Sequence, residues 1–374
     1  MKKAATFILV SLLVACTSDT DSPSTEFDDL SNLPEIIAET LFTTGGGDDF
    51  FFGSIADVQV LSDGTIAVLD GRSLDIHLLN GRGEWIKTHN LEGRGPGEVQ
   101  NLTNGIKITP DDYLAVRDYL MFKISIFQSS GTGLEHIRDV IIEESIGNFF
   151  LDGKDQLILK KTTTEDLTEP IAVMDLNGSS DLQTVLEFPA FERLTLTGSM
   201  GGMSFTISNS TEYHAKNEFC YSEGLLYHIR TDSVGFTSYR LPDGEEVSSS
   251  RLYIPALPLS DEEKEEVIDG LLASGGDLWG SREKERLMSE MPGFKPSVNR
   301  VVCDLPEGIW LQVNETDNPE GETWILMSDT GEVRGSYIHE RDSDIVSFHR
   351  GHIFKRITDD FGDISMEVHR YILE

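Results

Sequence analysis

The chain has 374 residues, with 30 Lys and Arg against 65 Asp and Glu, giving a formal net charge of −35. That balance excludes a nucleic-acid binder, which needs clustered Lys and Arg to neutralise phosphates, and excludes direct electrostatic docking to anionic lipid. It describes a solvated acidic surface that keeps a body soluble.

Lys2 and Lys3 precede an apolar run over residues 4–15. This reads as a secretory signal peptide, too short for a comfortable transmembrane span. The run ends Leu13-Val14-Ala15-Cys16, which resembles the bacterial lipobox. The resemblance implies cleavage before Cys16 and a diacylglycerol on its thiol, hence a lipid-anchored protein of the bacterial envelope, periplasmic or surface-exposed. An ordinary secreted protein with an unrelated Cys16 is the alternative. Residues 16–32 read as a flexible tether rich in Ser, Thr, Asp and Pro, and residues 33–374 as the folded body.

That body opens with a pattern written twice. Residues 55–61, the turn Ser62-Asp63-Gly64, residues 65–70 ending in Asp70, residues 75–79 and the turn 80–83 come first. Residues 105–109, the turn 110–112, residues 113–118 ending in Asp118, residues 124–127 and the turn 129–131 repeat it. Short strands recurring every ~40 to 50 residues mark the blades of a β-propeller. A third blade reads over 146–150, 156–159, 171–175 and 183–186, and a poorer fourth over 203–241, with 225–229 and 236–239 as its outer strands. A fifth uses 300–304, 309–313 and 323–327; the sixth, 345–348, 352–354 and 366–372, lacks one strand. Residues 35–42 are free to supply it, closing the ring and removing an open sheet edge. The predicted fold is therefore all-β, a six-bladed propeller closed by its N-terminal strand. Residues 258–292 interrupt the rhythm: Ser260 caps a helix running to Leu272, and a second helix spans 281–291.

The strand at 85–88, the loop Gly93-Arg94-Gly95-Pro96-Gly97-Glu98 and residues 111–118 resemble the six-bladed propeller lipoproteins related to the NHL-repeat group. The likeness is good over 53–130, fair over 297–373 and weak between. It implies fold and lipoprotein character, and no particular chemistry. The loop lacks the Lys-Ser/Thr of a P-loop, so its glycines are not a phosphate cradle.

In a propeller the loop from second to third strand and the link to the next blade open on one face, called here the upper face. Asp70, Arg72, Arg94, Glu98, Arg117, Asp118 and Lys123 are placed there by the pattern, as a ligand-binding face around the central channel. For Asp70 and Asp118 the simplest role is capping backbone amides in their own loops; contact with a ligand or with a Ca²⁺ ion in the channel is the alternative. Cys220 and Cys303 fall in adjacent blades, which leaves open a disulfide or two buried thiols. No His-Glu-x-x-His helix, Cys-x-x-Cys pair or Gly-x-Ser-x-Gly elbow occurs. His214, His228, His339 and His369 read as hydrogen-bonders between strands, and Trp279, Trp310 and Trp324 as packing between blades. Two functions follow: a non-catalytic binding or scaffolding module for a protein, peptide or glycan at the envelope, or a metal-dependent hydrolase or lyase of the NHL-like or lactonase-like kind with a channel cation.

Overall fold

Six antiparallel blades of four strands recur along the described residues, one of them extended by a short parallel strand. The computed structural model describes residues 25–26, 30–46, 51–130, 133–162, 168–178, 181–200, 203–275, 283–314, 321–341 and 343–373. The signal segment, Cys16 and Trp279 lie outside these residues. The first blade is Ile55–Val60, Ile66–Asp70, Asp75–Leu79 and Trp85–Asn90. The second is Leu102–Ile108, Tyr113–Asp118, Lys123–Ser129 and Leu134–Ile141. The third runs Ile146–Asp152, Gln156–Lys161, Thr168–Asp175 and Gln183–Pro189. The fifth is Val298–Asp304, Gly308–Val313, Glu322–Met327 and Val333–His339.

Within a blade the middle strands are nearly all apolar, whereas the outermost alternates. Ile66–Asp70 is buried at every position, while Trp85–Asn90 swings between exposed and half-buried. The physical reason is that neighbouring blades cover both faces of a middle strand but not of an outer one. The core accordingly lies between blades. Val58, Val68 and Val60 of the first blade pack on Phe354 and Val368 of the sixth, and Leu69 and Leu78 pack on Leu114 and Val116 of the second. Trp310 stacks on Phe348 with ring centroids 4.3 Å apart, joining the fifth and sixth blades.

Ring closure is as the strand count requires. Asp344–His349, His352–Thr358 and Ile364–Ile372 form three strands of the sixth blade, and Ile37–Gly45 pairs antiparallel with the last, Ile37 opposite Ile372. Order begins earlier than residue 33: Thr25–Glu26 pairs in parallel with Leu252 and Tyr253, and Leu30–Asn32 forms a 3₁₀ turn.

The fourth blade departs from the expected boundaries. It begins at Asn217–Ser222, its middle strands are Leu225–Arg230 and Val234–Arg240, and its outer strand is Glu245–Tyr253. Met203–Asn209, expected within this blade, pairs instead with Leu194–Met200 in a separate hairpin, and the two strands expected as outer are its middle pair. The outer strand is too polar to show an apolar rhythm, and the hairpin offers a decoy. Helices α1 (Asp261–Gly275) and α2 (Glu283–Glu290) complete the insertion. Ser260 and Glu263 form a reciprocal capping box, Ser260 N–H donating to Glu263 Oε2 at 2.9 Å and Glu263 N–H to Ser260 Oγ at 3.3 Å. Leu194 and Leu196 of the hairpin pack with Ile268 and Leu287 of the helices in a small core of their own. Both insertions leave and rejoin the ring at its upper face, over the third to fifth blades. No helix among the described residues is long and apolar enough to cross a membrane.

Candidate functional site

The upper-face turns are tied by a repeated device. Asp70, at the end of a second strand, accepts from the Gly53 amide at 2.6 Å with Oδ2 and from Arg72 and Ser73 N–H at 2.9 and 3.2 Å with Oδ1. Asp118 does the same with Gln100 at 2.5 Å and with Leu120 and Met121 at 2.9 and 3.0 Å. Thr231 Oγ1 accepts from Lys216 N–H at 2.8 Å, and Asn314 Nδ2 donates to Pro296 O at 2.8 Å, in the fourth and fifth blades. Each link fastens the end of a second strand to the segment leading into the inner strand. Asp70 and Asp118 are fully buried, with every carboxylate oxygen turned to backbone amides.

The other predicted face residues divide by burial. Arg117 is buried and donates to Ile146 O of the next blade at 2.8 Å. Lys123, also buried, donates to Gly95 O at 3.0 Å and Glu98 O at 2.6 Å and lies 3.4 Å from Asp139. It therefore pins the glycine-rich loop from beneath. Glu98 accepts from the Gly95 amide at 2.7 Å, while Arg72 and Arg94 are exposed and make no ion pair among the described residues.

The turn after Asp118 carries a different surface from its counterpart after Asp70. Leu74 and Phe122 occupy equivalent positions with φ of 56° and 51°, so the two turns share a backbone. The first presents Gly71, Arg72 and Ser73; the second presents Tyr119, Leu120 and Phe122, which are 52%, 59% and 50% exposed. The Ile142 amide donates to Phe122 O at 2.8 Å, and the preceding Ile141, opposite Lys123, is also exposed.

The channel residues escaped the sequence reading. Asp57, Lys107, Asn148, Glu218 and Arg300 stand on the inner strands of the first five blades. Bulges immediately before Asp57, Asn148 and Arg300 re-aim these side chains. Asp57 accepts from Val58 and Ile106 amides, each at 2.8 Å. Gly105 makes this approach possible: at φ +66°, a Cβ there would fall 2.2 Å from Asp57 Oδ2. Arg300 donates to Ile345 O and Val346 O of the sixth blade at 2.5 and 2.8 Å. Burial raises the Asp57 pKa against the pull of Lys107, and lowers that of Lys107 against the pull of Asp57 and Glu218. A recess of about 310 Å³ opens among Lys107, Gly147, Asn148, Lys160, Glu218 and Phe219. The sequence signal was a polar residue interrupting an otherwise apolar inner strand at the same place in successive blades.

This donor set does not fit a Ca²⁺ ion. Among the described residues no group of three or more His, Cys, Asp or Glu is placed to hold a metal, and both lumen carboxylates act on Lys107. The histidines are hydrogen-bonders: His228 Nε2 meets Asn217 Oδ1 at 2.8 Å, His339 Nε2 meets Ser343 O at 2.9 Å, and His349 Nδ1 accepts from the Val60 amide at 2.9 Å. Cys220 and Cys303 form a disulfide between the inner strands of the fourth and fifth blades.

These features define a six-bladed β-propeller with a polar, mixed-charge lumen. No known family matches the chain, and no curated protein is similar to it in sequence. Among solved structures it is similar to a member of the duf4221 family from Bacteroides vulgatus, at a TM-score of 0.54 and 12% identity, over 92% of this chain and 99% of that one. It is likewise similar to a putative exported protein from Bacteroides fragilis, at a TM-score of 0.51 and 12% identity, over 93% of this chain and 98% of that one. Likeness at this identity establishes the shared architecture.

Proposed function

We propose that the protein is a lipid-anchored, extracytoplasmic propeller that binds a protein or peptide partner through the open half of its upper face, without catalysis. The observation that carries this reading is the exposed ridge of Tyr119, Leu120 and Phe122. The equivalent turn after Asp70 holds the same backbone with Gly71 and Arg72 in place of Tyr119 and Leu120, so the fold of the turn does not require those two apolar residues, and an exposed apolar cluster on the same face as Arg72 and Arg94, which make no ion pair among the described residues, suits a protein interface. The signal segment and Cys16 supply the address, in keeping with the description of one structural relative as exported. The resemblance to the NHL-related lipoproteins over 53–130 belongs to the same reading. The metal-dependent hydrolase or lyase reading would need a cation cage, and among the described residues no group of three or more His, Cys, Asp or Glu is placed to form one.

A photo-crosslinking residue at Leu120 in intact cells, against one at Asn80 on the opposite face, tests the interface. A discrete adduct at position 120 alone is expected; equal labelling at both positions, or none, refutes it. Cys16→Ser should move the protein from the membrane to the soluble fraction, and unchanged partitioning would remove the anchor.

A further inference from the structure

The inner strands pack closely from the fourth blade round through the fifth, sixth, first and second to the third, and approach less closely between the third and fourth. The 310 Å³ recess lies at that parting. Its two cations differ. Lys160 is used, donating to Asn217 O at 3.0 Å and pairing with Glu169 at 3.0 Å. Lys107 has no hydrogen bond or ion pair among the described residues; its Nζ lies 5.5 Å from the Phe150 ring centroid, and Asp57 and Glu218 act on its charge without bonding it. A half-buried ammonium with no bonded acceptor is costly, and an anion bound in the recess would supply one.

The remaining groups narrow the chemistry. Asn148 Oδ1 accepts from the Phe149 amide at 2.8 Å, which leaves Nδ2 as a second donor beside Lys107. Glu218, paired with Lys216 at 3.7 Å, supplies an acceptor. Phe219, beneath Lys160 at 5.2 Å, gives an apolar wall. The volume falls at the low end for ligand sites, about 300–1,000 Å³, which restricts the occupant to a small molecule.

We propose that this lumen recess binds a small organic acid, its carboxylate on Lys107 Nζ and Asn148 Nδ2 and a hydroxyl or ammonium group donating to Glu218. The site is separate from the rim ridge and stands whether or not that ridge binds a protein.

Titration calorimetry of the folded body with D-glucuronate and L-lactate, against D-glucuronamide and lactamide, tests it. At least one acid should bind with a Kd on the order of 1 mM or below, with its amide about tenfold weaker or worse. Lys107→Met should weaken acid binding by about tenfold or more while keeping a cooperative thermal transition. Lys161→Gln, outside the recess, and Leu120→Ser, on the rim, should leave binding unchanged. Absence of acid binding at the highest soluble concentration, equal binding of acid and amide, or unchanged binding by a folded Lys107→Met protein would each overturn the assignment.

Discussion

Replacing Asp304 by Asn should stabilise this protein, and by more at high pH than at low. Asp304 is fully buried at the junction of the fifth and sixth blades, where its Oδ1 accepts from the Arg350 amide at 2.5 Å and its Oδ2 from the Tyr371 hydroxyl at 2.7 Å. Burial, reinforced by the charge of Glu307, outweighs these hydrogen bonds and pushes the carboxyl up to about 7, from roughly 3.9 in an unfolded chain. Because the folded value is the higher, the contribution of Asp304 is fully present only below the unfolded pKa and is lost as pH rises through about 7. The loss at high pH is about 4 kcal/mol. Asn retains a carbonyl for the Arg350 amide and an Nδ2 that can donate to the Tyr371 oxygen, but does not ionise. The advantage of Asp304→Asn should therefore grow by about 3 kcal/mol between roughly pH 5 and pH 8, a widening of about 4 °C in Tm for a body of this size. Thermal unfolding of both proteins across that range measures it. A difference in Tm independent of pH, or one that narrows as pH rises, would refute the assignment of a protonated Asp304.

Other substitutions probe the links between elements. Lys123→Met should release the loop pinned at Gly95 and Glu98, raising hydrogen exchange of the Arg94, Gly95, Gly97 and Glu98 amides by about tenfold, with the first blade's middle strands unaffected. Cys303→Ser, or reductant on the wild type, should lower stability by about 2–5 kcal/mol, read as a drop in Tm, and reductant should cause no further drop in the variant. Ser260→Ala should cost about 1 kcal/mol and show as increased exchange at the start of α1. It should also relax the Glu263 carboxyl, now held down to about 2 by Lys295 and Ser260, towards the ordinary range.

How much was legible beforehand varies with the range of the interaction involved. The first two blades announced themselves because turn chemistry and apolar runs are local, and Asp70 and Asp118 sit at the same point of the same strand-turn unit. Their capping role was legible too, since it needs only neighbouring amides and the segment one strand away. The fourth blade was misplaced because its outer strand, Glu245–Tyr253, contains three successive serines and two glutamates, while the hairpin at Leu194–Met200 and Met203–Asn209 mimics a blade strand.

What the chain carries by itself is the list of strands, the turns that separate them, the missing strand of the last blade and the helices with their cap. Those depend on contacts within a few residues or on a simple count. The lumen belongs to tertiary structure alone. Asp57, Lys107, Asn148, Glu218 and Arg300 each look, in isolation, like the polar side of a half-buried strand. Only closure of the ring by Ile37–Gly45 turns all five towards one axis, where burial raises the pKa of Asp57 and lowers those of Lys107 and Arg300. The disulfide is decided in the same way: Cys220 and Cys303, 83 residues apart, meet because adjacent blades bring their inner strands side by side.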